Sequence, residues 1–309
     1  MPVWRSLTAG VLAFTAGSAV ATAQDIKVTL LGTGAVAPVM NRFGASTLVE
    51  AGGHKYLFDA GRGALLRLTQ AGVRWQEIDG VFLTHLHSDH IVGFPDLMLT
   101  GWLVGGRNRP IRVWGPKGTE NMTSHLGSAF ESDIRHRVTD DRAAADGIVV
   151  QPKDITEGLV LRDGDVTITA FDVDHAPNMP ALGYRIDYRG RSVGLSGDTR
   201  FSENLIRHST GVDLLIHEVA VRSTFERAGM PAGGVNAVMA LHVSPQQAGE
   251  IFARTKPKLA VYSHVGLSTA TEEDVIPPTR EKYSGRVELG EDLMVIEIGD
   301  TVVVRRPTR

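Results

Sequence analysis

Short runs of apolar and β-branched residues, each closed by a glycine, a polar cluster or a histidine, recur along the chain at 26–31, 56–58, 81–84, 111–114, 166–173, 184–188, 192–195, 212–216, 259–262, 293–298 and 301–304. Runs of this length bounded by turn residues predict β-strands. Two segments carry helical spacing instead: 64–71, after the turn Gly61-Arg62-Gly63, and 244–254. The second has its own start signals, with Ser244 as N-cap, Pro245 at the first helical position and Gln247 closing a capping box. Tyr188-Arg189-Gly190-Arg191 and Gly299-Asp300 read as hairpin turns. Strands mixed with helices and joined in places by hairpins predict sheets covered by helices, a layered α/β or α+β arrangement. No repeat, low-complexity tract or linker divides residues 24–309, which are read as one domain.

Composition adds boundaries. A chain of 309 residues with 42% hydrophobic content can bury a sizeable core. Its net charge of -3 supplies no global basic field to draw in nucleic acid by counterion release, so no nucleic-acid partner is expected. Residues 1–23 carry an early Arg5, an apolar stretch and then Ala21-Thr22-Ala23, the pattern of a cleaved signal peptide. Thr8, Gly10, Thr15, Gly17 and Ser18 break that stretch short of the ~20 apolar residues that span a bilayer, so no stable membrane anchor is expected. A periplasmic or secreted location follows. The absence of cysteine removes disulfides, and with them every thiolate ligand.

The densest polar cluster, Thr84-His85-Leu86-His87-Ser88-Asp89-His90, follows the apolar run 81–83. Alternate side chains of an extended chain share a face, so His85, His87 and Asp89 are expected to point one way while His90 turns off. Imidazole and carboxylate donors of this kind suit zinc. His175, Asp198, His217 and His264 stand at the ends of other predicted strands, where open sheets place their chemistry. A lone histidine there is ordinarily a surface or core residue. Taken with the first cluster, three of these residues complete a two-metal set: His85, His87 and His175 on one ion, Asp89, His90 and His264 on the other, and Asp198 between them. Two zinc ions are expected, with manganese or iron as alternatives.

The order His85-x-His87-x-Asp89-His90, then His175, Asp198 and His264, resembles the metallo-β-lactamase superfamily. That resemblance implies a four-layer αββα sandwich, two β-sheets packed between helices. Leu31-Gly32-Thr33-Gly34, Phe58-Asp59-Ala60-Gly61, Gly183-Tyr184, Ser196-Gly197-Asp198-Thr199, His217-Glu218 and His242-Val243-Ser244 are similar to motifs of its ribonuclease Z and arylsulfatase branch. Ribonuclease Z proteins that cut transfer RNA carry a long arm, sought here between His175 and Asp198. Only a tight hairpin stands there, which argues against transfer-RNA 3′ processing.

The expected activity is therefore that of an exported binuclear zinc hydrolase of small sulfate or phosphate esters, arylsulfatase- or phosphodiesterase-like. Its nucleophile is a hydroxide made available when metal coordination drops the pKa of water from 15.7 to about 7. Alternatives on the same residues are a lactone, β-lactam or thioester hydrolase, or an iron redox protein, against which His87 speaks. A small-molecule ester is the expected partner, and a homodimer is compatible. Asp89, His242 and Glu218 are the expected catalytic residues: His242, oriented by Glu218, steadies an oxyanion or protonates the departing alkoxide. The competing reading makes the latter pair a helix-start cap and a structural carboxylate. Residues 225–239 read either as an apolar wall over the site or as a connecting loop, and Arg42 as a solvated surface residue.

Overall fold

In a computed structural model, residues 26–307 are described apart from 178, 267 and 268. The expected signal segment, 1–23, lies outside the described residues. The first half alternates strand and helix: β1 (Ile26–Gly32), β2 (Ser46–Ala51), β3 (His54–Phe58), α1 (Ala64–Gln70), β4 (Gly80–Phe82), α2 (Ser88–Ile91), α3 (Phe94–Leu103), β5 (Ile111–Gly115), α4 (Thr119–Ala129), α5 (Glu131–Thr139), α6 (Ala145–Ile148) and β6 (Val150–Asp154). A meander follows, of β7 (Gly158–Asp163), β8 (Val166–Ala176), β9 (Met179–Tyr188) and β10 (Arg191–Leu195). The remainder comprises α7 (Glu203–Ser209), β11 (Leu214–Val219), α8 (Arg222–Arg227), α9 (Ala232–Met239), α10 (Pro245–Thr255), β12 (Leu259–Val265), α11 (Glu272–Arg280), β13 (Val287–Leu289), β14 (Val295–Ile298) and β15 (Val302–Arg305).

The strands make two sheets, ordered β15-β14-β1-β2-β3-β4-β5-β6 and β13-β12-β11-β10-β9-β8-β7. Successive side chains of a strand point to opposite faces, and the cores follow that alternation. On β12, Leu259 and Val261 enter the cluster between the sheets, with Val28, Phe82 and Ile168, while Ala260 and Tyr262 face outward to Ile251 and Phe252 of α10. On the far side, Leu57 and Val81 meet Leu65 and Leu68 of α1 and Phe94 and Leu97 of α3. The layers are helix, sheet, sheet, helix, the sandwich that the resemblance implies.

The strongest local signals correspond to formed elements. Ser244 and Gln247 make the reciprocal capping box that starts α10. Arg189 and Gly190 both have positive φ, 48° and 79°, as the tight turn between β9 and β10 demands. The sequence reading missed β2, which opens on the polar but buried pair Ser46-Thr47; Ser46 Oγ donates to the Asp59 carbonyl at 3.1 Å. It also missed β6 and β13, which carry no continuous apolar run, and β7, whose short run Leu159-Val160-Leu161 is only partly buried.

Direction matters more to function than strand count. β3, β4, β5 and β6 pair in parallel, as do β10, β11, β12 and β13. β8 is antiparallel to β9, which is antiparallel to β10, so β8 and β10 run the same way. Among the described residues, no helix is long and apolar enough to cross a membrane.

Candidate metal centre

Beyond β4 the chain passes Leu83 and Thr84, where two bonds from the other sheet hold it. The Tyr184 hydroxyl donates to the Leu83 carbonyl at 2.7 Å, and the Leu182 N–H donates to the Thr84 carbonyl at 2.8 Å. His87, still extended at φ -66° and ψ 146°, is the N-cap of α2. Asp89 and His90 therefore come off a helical turn. The expectation that Asp89 shares an extended face with His85 and His87 is corrected here, because the His90 N–H closes a turn onto the His87 carbonyl at 3.1 Å. His175 arrives past an irregularity in β8 after Val173, Asp198 just beyond β10, and His264 from the end of β12. His264 sits at φ 46°, a left-handed conformation that few non-glycine residues adopt.

All seven side chains meet. His85 Nε2 lies 2.9 Å from His87 Nδ1, and His175 Nε2 lies 3.2 Å from that same atom. The Nδ1–H of His175 donates to the Leu241 carbonyl at 3.1 Å, so its Nε2 lone pair faces inward. In the second group, His90 Nε2 is 3.4 Å and His264 Nδ1 3.3 Å from Asp198 Oδ1, and His264 Nε2 is 3.2 Å from Asp89 Oδ2. The other oxygen of Asp198 lies 3.9 Å from both His85 Nε2 and His175 Nε2. Thus the carboxylate turns one oxygen toward each group.

These spacings fit divalent cations. Donors ~2.0–2.1 Å from one zinc at tetrahedral angles are roughly 3.3 Å apart, within the spread of the contacts above. His90 Nε2, Asp198 Oδ1 and His264 Nδ1 are buried without any hydrogen-bond partner, a cost that a cation would remove. Burial holds His85 well below, and His87 and His175 below, the ordinary imidazole range, which keeps them in the neutral form that binds metal. Burial opposes charge on His90 too, but the Asp198 and Asp59 carboxylates outweigh it and push that group well above its usual value. Asp89, despite burial, is drawn down to about 2 by His264 and His90. The carboxylates here call for positive charge.

Sequence reasoning assigned no role to Asp59 or Thr84. Asp59 accepts hydrogen bonds from His90 Nδ1 at 2.7 Å, from the Thr84 N–H at 2.7 Å and from the Thr84 hydroxyl at 2.9 Å. Its signal was the motif Phe58-Asp59-Ala60-Gly61, a carboxylate directly after the apolar end of β3. Gly61 sustains the approach of this loop to the site, since a Cβ there would stand 2.4 Å from the Asp89 carbonyl oxygen.

His217 and Glu218 are consecutive on β11 and face opposite ways. The His217 ring packs 5.8 Å from Phe252 on the helix side and joins no ligand-type cluster. Glu218 Oε1 accepts the Val243 N–H at 2.9 Å, while Oε2 lies 3.3 Å from His242 Nδ1, a charge contact without hydrogen-bond alignment. Arg42 is not a solvated surface residue: it donates to Thr33 Oγ1 and to the Gly290 carbonyl, both at 2.7 Å, pinning the loop beside the site.

The model of the β-lactamase superfamily domain matches residues 54–265, a span that holds all seven clustered residues. A ribonuclease Z of Mycobacterium sp. (strain KMS) is 34% identical over 283 residues, 91% of this chain and 99% of that protein. A ribonuclease Z of Mycolicibacterium gilvum (strain PYR-GCK) is 33% identical over 277 residues, 88% of this chain and 96% of that protein. The chain belongs to the metallo-β-lactamase superfamily, on its ribonuclease Z branch. Among solved structures, the short form of human tRNase Z aligns with a TM-score of 0.64 at 25% identity, covering 88% of this chain and 98% of that one.

These relatives overturn two expectations. An exported hydrolase of small sulfate or phosphate esters is not what these relatives are named for, and neither the small-molecule substrate nor the exclusion of nucleic acid stands. The exclusion rested on net charge, which sums the whole surface, whereas counterion release depends on the cations that meet phosphates. It rested also on the missing arm and on the expected export signal. Between His175 and Asp198 the chain does form β9 and β10 with a tight turn at Arg189 and Gly190, but a shorter outline there does not decide which bond the centre attacks.

Proposed function

We propose that this chain is a metal-dependent ribonuclease of the ribonuclease Z kind, hydrolysing a phosphodiester bond at the 3′ side of a transfer-RNA-like precursor. The relationship to ribonuclease Z over 91% of the chain carries the reading. Two histidine groups with a carboxylate between them support it, since such a centre can hold both oxygens of an in-line displacement.

His85, His87 and His175 would hold one cation, Asp89, His90 and His264 the other, with Asp198 shared. When bound, two zinc ions polarise the phosphoryl group and lower the pKa of water from 15.7 to about 7. The remaining tasks belong to the protein. Asp89, which lines the cavity and stays ionised, accepts a hydrogen bond from the attacking water. His242 lines the same cavity with Nδ1 beside Glu218, and its Nε2 donates a proton to the departing oxygen. The adjacent Glu218 carboxylate keeps that imidazole charged.

The test is cleavage of a precursor transfer RNA with a 3′ extension by the zinc- or manganese-loaded protein, with Asp198→Ala as the blank. A single endonucleolytic cut near the 3′ end is the expected result. An intact RNA, under conditions where the loaded protein hydrolyses aryl sulfates, would overturn the reading.

A further inference from the structure

Beside the ligand-type residues lies a cavity of about 340 Å³ whose two walls differ in chemistry. One carries His87, Asp89, His175, Asp198, His242 and His264. The other is apolar: Phe225 of α8, Met230 in the turn, Val238 of α9, and Val36 across the mouth. Residues 225–239 are thus neither a plain connection nor part of the main cores. α8 and α9 pack on each other around their own cluster of Ala220, Phe225 and Val235. Phe225 lies against bare backbone at Gly266, where a Cβ would come 2.9 Å from its Cζ. Met230 folds over Gly234, whose added Cβ would meet its Cγ at 3.1 Å. Val36 remains 61% exposed at the rim, an apolar side chain held in water where a substrate would enter.

We propose that this apolar wall seats one unpaired nucleobase of the RNA, that of a nucleotide flanking the cleaved bond, and that Phe225, Met230 and Val238 determine this preference. The inference rests on the phosphodiester reading above and names the part of the substrate that this half of the site takes. Size admits a base: 340 Å³ stands at the lower end of the ~300–1,000 Å³ of small-ligand sites. Chemistry supports a base over a charged group, because the wall offers a thioether, aliphatic carbon and the small uncovered part of the Phe225 ring. Apolar contact of this kind accepts any base, since each has a π-face. Position supports a flanking nucleotide, because the same cavity touches Asp198, His175 and His264.

The experiment uses the zinc-loaded full chain and an oligoribonucleotide substrate carrying one abasic site, placed either 5′ or 3′ of the cleaved bond. The readout is the ratio of kcat/KM for the intact substrate to that for the abasic one, in wild type, in Val238→Trp, which fills the cavity, and in Met230→Ala, which strips its wall. The expected ratio in wild type is roughly 10 at one of the two positions, the order of one base–aromatic contact. It falls toward 1 in both variants, and the change lies mainly in KM. Because each variant is its own reference, damage to the metal centre cancels, and Met230→Ala carries the test alone should the larger substitution prevent folding. A ratio near 1 in wild type at both positions, or a ratio that survives both substitutions, overturns the base pocket while leaving the nuclease standing. Failure to cut any RNA overturns both.

Discussion

Asp59 holds His90 from behind, its Oδ2 accepting the Nδ1–H at 2.7 Å, so that Nε2 points at Asp198. A carboxylate on the outer nitrogen sets the tautomer, and the ring then has one donor atom left for the centre. Asp59 also stands at φ 57°, a conformation that aspartate and asparagine tolerate better than most residues.

Asp59→Asn should therefore fold, since asparagine keeps the backbone and an acceptor while removing the charge. Metal affinity, measured by competition with a chromogenic chelator, is expected to fall about 10- to 100-fold. An unchanged affinity would show that His90 needs no orienting partner.

The Glu218–His242 pair predicts a pH profile. Burial by itself would lower the His242 pKa, but the adjacent Glu218 carboxylate outweighs it and raises the group to about 9. As a proton donor, His242 is charged below that value, so kcat/KM should fall as pH rises through about 9. In Glu218→Gln the carboxylate charge is gone and burial dominates, so the alkaline limb should move to the acid side of the ordinary imidazole range. A limb still near 9 in that variant would assign the proton to another group.

Metal removal couples to stability. Ions that bind only the folded chain add stability by mass action, about 2.7 kcal/mol at 100 times Kd. Chelation should lower Tm and abolish turnover, and zinc should restore both. In Asp198→Ala, which loses the carboxylate facing both groups, elemental analysis should find fewer than two equivalents and turnover should drop about 100-fold or more.

Asp292 gives a stability test that does not depend on bound metal. It accepts the Thr33 and Phe43 N–H groups at 2.9 and 2.7 Å and pairs with Arg67 Nη2 at 2.9 Å, all in largely buried surroundings. Asp292→Ala strands those donors and the guanidinium, at a cost of about 3–5 kcal/mol. Urea denaturation of the metal-free protein reads this directly, and a change below about 1 kcal/mol would mean that water replaces the carboxylate.

Much of this protein was settled within short stretches of the chain. Apolar runs marked most of the strands, because a strand covered on both faces must be apolar at nearly every position. The capping box at Ser244 and the turn at Arg189-Gly190 depend only on residues a few positions apart, and so does the crowding of His85, His87, Asp89 and His90. What distance in sequence hid, only the tertiary structure decided. Asp59 reaches His90 because β3 and β4 pair in parallel and end together. His217 and Glu218 look alike in the chain, yet the alternation of β11 sends one toward α10 and the other to His242. The turn at α2, which swings Asp89 off the strand face, closes by a backbone bond that no side-chain pattern announced. Net charge and a short loop pointed away from RNA because both are properties of the whole surface or its outline. A cleavage site is local, made by a few buried groups and the wall beside them, and that wall exists only where α8 and α9 fold over the ends of the strands.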